Sequence, residues 1–280
     1  MNYRHAFHAG NFADVMKHVL LARILDHLRG KPKPFRVIDT HAGIGLYDLA
    51  GPEALRTGEW RDGVGRLEAP MSAAAEVVAA PYRAALAEVR RRHGPTTYPG
   101  SPALARLALR PGDRAILIER HPEDAAVLRD RFGGSGAVTV LPHDGWTALR
   151  GLIPPKERRG LVLVDPPYEA GGELSRGAAR LADAVGKWPT GIFALWYPIK
   201  VSEEIDAFAG VLARTIAAPA VRLELLIAEP DGNALAGSGL VVVNPPWQLA
   251  ADARAVLPAL ADRLGRRGPG DWLCQAWGGS

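Results

Sequence analysis

Four residues, Asp165-Pro166-Pro167-Tyr168, follow the apolar run Leu161-Val162-Leu163-Val164 and join a carboxylate, a stiff backbone and an aromatic face at the end of a predicted buried strand. Each proline fixes φ and lacks an amide donor, so the turn is rigid and its carbonyls are free to accept hydrogen bonds from another molecule. An exocyclic amine on a flat base has two hydrogens to donate. Asp165 can accept one and the Pro166 carbonyl the other, with Tyr168 stacked on the ring, which aims the nitrogen lone pair at a methyl donor. Read blandly, the same tetrapeptide is a proline turn with Asp165 as a cap and Tyr168 as packing. Asn244-Pro245-Pro246-Trp247 repeats the pattern. The expectation is that this copy is only a turn, because it follows a last strand that runs antiparallel and so ends on the opposite edge.

Other residues of this kind also sit where apolar runs stop. Asp39, His41, Gly43 and Gly45 follow the first predicted strand, Glu119 the second, Asp144-Gly145 the third and Asp165 the fourth. Parallel sheets bind ligands at the carboxyl ends of their strands, where small residues admit a nucleoside and an acid can accept hydrogen bonds from ribose hydroxyls. Asp144 is suited to an adenine amino group. Any one of these acids alone could cap a helix; together they outline an adenosyl pocket. The Gly43-Ile44-Gly45 turn lacks the third glycine of a dinucleotide fingerprint, and its acidic partner Glu119 lies about 75 residues on rather than ~20. This favours S-adenosylmethionine, which has no pyrophosphate, over a nicotinamide.

The elements that must position these groups alternate. Asn11 can cap a helix that runs with helical apolar spacing to Gly30 and the Lys31-Pro32-Lys33-Pro34 stop. Strands are predicted at 35–39, 115–119, 138–141, 161–165, 191–196, 222–228 and 240–243, with helices such as 122–132 and 174–187 between them. The expected fold class is α/β: a doubly wound, Rossmann-like seven-stranded sheet. The interval 47–112 is too long for an ordinary crossover. Its alanine-rich stretch 72–92 predicts a helix with a break or kink at Pro81, so a small helical insertion over the sheet edge is expected here. The domain reading is therefore 1–46 as N-terminal arm, helix and start of the catalytic domain, 47–112 as the insertion, and 113–280 as the remainder. The Gly-rich end after Arg263 reads as a loosely held tail, with Trp272 and Trp277 as packing points.

The chain has 280 residues and is 48% hydrophobic, enough for a substantial core. Lys and Arg exceed Asp and Glu by 34 to 30, a net charge of +4, which permits a polyanionic partner without requiring one. Cys274 is the only cysteine, so no intrachain disulfide can form, and a cytoplasmic setting is expected. No apolar stretch suggests a signal peptide or a membrane span. His5, His8 and His18 lack a cysteine partner, and no metal is expected.

The opening Tyr3-Arg4-His5-Ala6-Phe7-His8-Ala9-Gly10-Asn11, then Asp14, Lys17-His18, Asp39-Thr40-His41-Ala42-Gly43, Tyr98-Pro99-Gly100-Ser101-Pro102, Asp165-Pro166-Pro167-Tyr168 and Trp196-Tyr197-Pro198 closely resemble the bacterial 23S ribosomal RNA adenine-N6 methyltransferase J family nearly end to end. The resemblance implies a Rossmann-like methyltransferase domain with a small helical insertion, S-adenosylmethionine as cofactor and 23S ribosomal RNA as partner; a monomer is expected separately. It implies that His18, His41, Ser101, Glu119, Asp144, Gly145 and Asp165 contact the cofactor, that Asp165 is also the catalytic carboxylate, and that Tyr3 meets the RNA, with Lys17 as a further candidate. The residues themselves assign Pro166 and Tyr168 to the amine clamp and the base. Methylation of adenine in DNA, and RNA binding or ribosome assembly without catalysis, are the other readings; loss of the pocket acids would mark the last.

Overall fold

The computed structural model describes residues 4–134, 136–169, 172–268 and 270–278. Helix α1 (Phe12–Arg29) starts where the Asn11 side chain accepts the Asp14 amide at 3.0 Å and ends at Gly30. Strand β1 (Arg36–Asp39) follows. A short pair, β2 (Leu46–Asp48) and β3 (Thr97–Pro99), brackets α2 (Pro52–Thr57) and α3 (Ala73–His93). Then come α4 (Ser101–Ala108), β4 (Arg114–Ile118), α5 (Pro122–Phe132), β5 (Val138–Leu141), α6 (Gly145–Leu152), β6 (Gly160–Val164) and α7 (Glu173–Lys187). The chain continues through β7 (Ile192–Ile199), α8 (Ser202–Thr215), β8 (Ala220–Leu226), β9 (Gly237–Val243), α9 (Leu249–Leu264) and β10 (Asp271–Trp277).

The main sheet has eight strands in the order β10-β8-β9-β7-β6-β1-β4-β5. The seven-strand expectation is corrected by β10, which pairs antiparallel with β8 from Asp271↔Leu226 to Trp277↔Ala220. Its alternation of exposed and half-buried residues gives no continuous apolar run, so it reads as a tail in the sequence. Strands β7, β6, β1, β4 and β5 are parallel, and β9 runs antiparallel to both β7 and β8. After β5 the chain crosses β1 to reach β6. The strand order therefore reverses at β1, and the crevice outside its carboxyl end is where a ligand fits an open sheet.

Both faces of the sheet are covered, which is why β6 is an unbroken apolar run with every residue buried. Helices α1, α4, α5 and α9 share one core with β8 and β9, and α7 and α8 share the other with β6 and β7. Helix α3 packs on α1 and α9. Within the 47–112 segment, α3 thus forms an outer layer, because buried Ala75, Val78, Ala79 and Tyr82 need an apolar partner and α1 and α9 supply one, while α4 packs on β1 and β4. The helix runs through Pro81 without interruption. Among the described residues no helix is long and apolar enough to cross a membrane.

Candidate active site

The carboxyl ends of β1, β4 and β6 open on one cavity of about 1130 Å³. Lys17, His18, His41, Ser101, Glu119, Asp144, Gly145, Asp165, Pro166 and Tyr168 all line it, so elements far apart in the chain bring the predicted residues together. Tyr3 lies outside the described residues.

The β6 corner carries the Asp165-Pro166-Pro167-Tyr168 turn. Asp165 is partly exposed to the cavity, and no hydrogen bond reaches the Pro166 carbonyl among the described residues. Tyr168 has φ of 51°, a costly value for an aromatic residue. It is held there by its hydroxyl, which donates to the Trp196 carbonyl at 2.6 Å, and by an edge-on contact with the Trp196 ring at 5.8 Å. The Lys17 ammonium donates to Asp165 Oδ2 and lies 3.0 Å from Asp14 Oδ1 and 5.6 Å from the centre of the Trp196 ring. Burial works against its charge, but the two carboxylates outweigh burial and raise its pKa. Lys17 therefore sits 4% exposed beside Asp165 at the end of β6, not on the outer surface.

The β1 turn and the β4 end form the opposite wall. Gly43 has φ of 59°, and a Cβ there would lie 2.4 Å from the Tyr47 hydroxyl, so the turn requires glycine. Its amide donates to Glu119 Oε2 at 2.9 Å, and the His121 amide donates to Oε1 at 2.7 Å. With the Arg120 amide also bonded to it, the carboxylate still keeps a lone pair for a ligand hydroxyl. Burial raises the Glu119 pKa despite these bonds. The His41 ring edges onto Trp146 at 6.3 Å, and the Arg180 guanidinium lies 5.5 Å from the centre of the Trp146 ring. Thr40 Oγ1 donates to the Leu163 carbonyl at 3.0 Å and meets His41 Nδ1 at 2.8 Å, which makes Nδ1 the protonated nitrogen of His41. Burial pushes the His41 pKa down to about 4, so the ring is neutral.

Asp144 caps α6. Its Oδ1 accepts from the Thr147 amide at 2.8 Å and the Thr147 hydroxyl at 2.7 Å, which leaves Oδ2 for a ligand donor. Gly145 crosses the end of β1 so closely that a Cβ would fall 2.0 Å from the Thr40 carbonyl oxygen. Beneath the cavity, Asp39 ends β1 at 1% exposure with Oδ2 unpartnered. Burial raises its pKa to about 7, with the Ser101 hydroxyl opposing and the Asp165 charge adding. Burial also opposes the charge on Asp14, but His5, Lys17 and His18 hold its carboxyl well below the ordinary range. Asp14 accepts from His5 Nε2 at 2.9 Å and from the Gly10 amide at 3.0 Å.

Asp39 is expected at the end of the first strand as part of the pocket, but its burial with an unpartnered oxygen, and the place of Asp14 between His5 and Lys17, are not visible in the motifs. Asp14 has a spacing signal, since it lies three residues before Lys17 and four before His18 on one helix face. The second Pro-Pro motif behaves as a turn: Asn244 Nδ2 donates to the Pro189 and Gly191 carbonyls, both at 2.8 Å, beside the start of β7 at the opposite edge of the sheet. No group of three or more His, Cys, Asp or Glu among the described residues could hold a metal ion.

A family model described as "Ribosomal RNA large subunit methyltransferase D, RlmJ" matches residues 32–277. Two curated proteins named Ribosomal RNA large subunit methyltransferase J are similar over nearly their whole length. The one from Escherichia coli K12 is 38% identical over 271 residues, 96% of each chain. The one from Haemophilus influenzae Rd is 36% identical over 277 residues, 98% of each chain. Among solved structures, protein LPL1258 from Legionella pneumophila superposes with a TM-score of 0.86 at 29% identity, covering 96% of this chain and 98% of that one.

Proposed function

The chain belongs to the ribosomal RNA large subunit methyltransferase J family, and we propose that it transfers a methyl group from S-adenosylmethionine to the N6 amine of an adenine in 23S ribosomal RNA, working in the cytoplasm with that RNA. The observation that carries this reading is the Asp165-Pro166-Pro167-Tyr168 corner opening on the same cavity as Glu119 and Asp144. The cavity fits the cofactor on its own terms. Gly43 and Gly145 let the turns after β1 and β5 pack against Tyr47 and Thr40 at the cavity wall, Asp144 Oδ2 awaits a donor such as an adenine amine, and Glu119 suits a ribose diol. His18, His41 and Ser101 complete its lining toward the clamp. Bound there, S-adenosylmethionine supplies an electrophilic methyl on a sulfonium.

The chain's own residues do the rest. Lys17 holds Asp165 through Oδ2, which leaves Oδ1 to accept one amine hydrogen while the Pro166 carbonyl accepts the other. Tyr168, fixed by Trp196, offers its ring to the base. Positive charge grows on the amine nitrogen during transfer, and the Asp165 carboxylate and the Pro166 carbonyl dipole stabilise it. The proton then leaves to Asp165 or to water. A paired adenine cannot present this edge, so the base is unstacked first, at a cost of a few kcal/mol.

Asp165→Ala is expected to lower the methylation rate by roughly 10²- to 10⁴-fold with cofactor affinity changed only a few-fold. Near-normal turnover in this variant rejects the assigned role. Labelled cofactor offered with protein-free ribosomal RNA, assembled subunits or duplex DNA tests the substrate: label is expected in the RNA, and preferential labelling of DNA would favour the DNA reading.

A further inference from the structure

His18 lies 1% exposed in α1 and lines the cofactor side of the cavity. Its Nδ1 is 2.9 Å from the Tyr98 hydroxyl, and that hydroxyl is 3.4 Å from the Tyr82 hydroxyl. Tyr98 belongs to β3 and Tyr82 to α3, and both are 0% exposed. The three groups form a buried chain from the outer helical layer to the cavity, through side chains that would otherwise serve only as core.

We infer that Tyr82 and Tyr98 are positioning residues that fix which nitrogen of His18 carries its proton, so that the 47–112 segment sets the hydrogen-bonding polarity of the cofactor cavity. Burial holds the His18 pKa down to about 3, so the ring is neutral and has a single N–H. Asp14 Oδ1 lies 4.0 Å from Nε2, and a carboxylate at that edge favours hydrogen on Nε2 over a lone pair. Nδ1 is then the acceptor, and Tyr98 donates to it. The Tyr98 oxygen in turn accepts from Tyr82, whose hydroxyl is the donor of that contact. All three hydrogens run one way, ending in an Nε2–H turned to the side where Asp14 and His18 both line the cavity. His41 has the opposite tautomer, with Nδ1 protonated by its contact with Thr40. The cavity thus presents one imidazole donor and one imidazole acceptor. An amino-acid group, with a carboxylate to accept and an ammonium to donate, matches that pair. This inference rests on the proposed methyltransferase reading only for the identity of the ligand.

The test uses full-length protein with ¹⁵N-labelled histidine and two-bond nitrogen–proton correlation spectra, the His18 pattern being assigned by its loss in His18→Asn. Wild type is expected to show His18 as the Nε2–H form alone, and Tyr98→Phe, which removes the donor to Nδ1, to show a mixture. Calorimetric titration with S-adenosylmethionine should show about 5- to 10-fold weaker binding for Tyr98→Phe and about 2-fold for Tyr82→Phe, which leaves Tyr98 in place. An Nδ1–H form in wild type, an unchanged spectrum in Tyr98→Phe, or unchanged affinity in that variant overturns the inference. If Tyr98→Phe does not fold, the wild-type spectrum and Tyr82→Phe decide. Wild-type protein that binds no S-adenosylmethionine would defeat the proposed function instead, and the tautomer spectra would still decide the role of the two tyrosines.

Discussion

At the scale of single residues, the cavity floor holds a carboxyl whose ionisation costs stability. Asp39 is buried with Oδ2 unpartnered, and burial lifts its pKa from the ordinary 3.8 to about 7. The folded chain therefore keeps a proton that the unfolded chain releases, and between about pH 4 and 7 stability falls as pH rises. His18, held to about 3, and His41, held to about 4, act in the opposite sense. They are neutral when folded and take up protons on unfolding, so stability falls as pH drops below about 6.5. Comparing Asp39→Asn with wild type at each pH cancels the two histidines. Urea unfolding should show the variant gaining on wild type between pH 4 and pH 8, by as much as about 4 kcal/mol. A difference independent of pH would mean that Asp39 titrates normally in the folded chain.

At the scale of elements, β10 protects the edge of β8. The residues Ala220 to Arg222 and Leu223 to Leu225 of β8 are all buried, and β10 pairs along the full strand. Ending the chain at residue 270 leaves that edge open, a template for pairing with another copy. We expect the melting temperature to drop by several degrees and association to grow with concentration, by calorimetry and light scattering. S-adenosylmethionine affinity should stay within about twofold, since β9, β7 and β6 separate the edge from β1. A well-behaved monomer with unchanged melting would remove the edge-cover role. The same strand shows where sequence reading stops. The strands β1, β4, β6 and β7 are legible as apolar runs because both faces are covered, the edge strand β5 is legible from its short β-branched run, and α1 and α5 are legible from Asn11, Gly30 and Pro122. The acids Glu119, Asp144 and Asp165 are legible because parallel strands put their carboxyl ends on one side. The buried partners of Lys17 and Tyr98 are not. Lys17 sits inside a helix whose partner Asp165 is 148 residues away, and a buried tyrosine has the same sequence signature whether it packs or donates.

At the scale of the whole molecule, the two ligands of the proposed reaction meet different environments. The cofactor wall is enclosed by β1, β4 and α6, with neutral imidazoles and carboxylates bonded to backbone amides. The RNA must approach the open rim, where Arg4, Arg176, Arg180, Lys200 and Arg266 line the cavity together with acids such as Glu53, Asp62 and Glu173. A net charge of +4 and a rim of mixed sign point to few phosphate contacts rather than a continuous basic track. If about three phosphates are neutralised, raising salt from about 50 to about 200 mM should raise the KM for RNA roughly 20- to 40-fold. The cofactor KM should change by less than about twofold, because interactions in a partly enclosed cavity are screened far less. Steady-state methylation across a salt series, varying one ligand at a time, reads both slopes. An RNA KM that ignores salt would mean that the enzyme holds its substrate through the extruded base and the shape of the fold around it. A cofactor KM that rises in step with the RNA value would mean that the adenosyl wall is far more open to solvent than its glycine-lined turns allow.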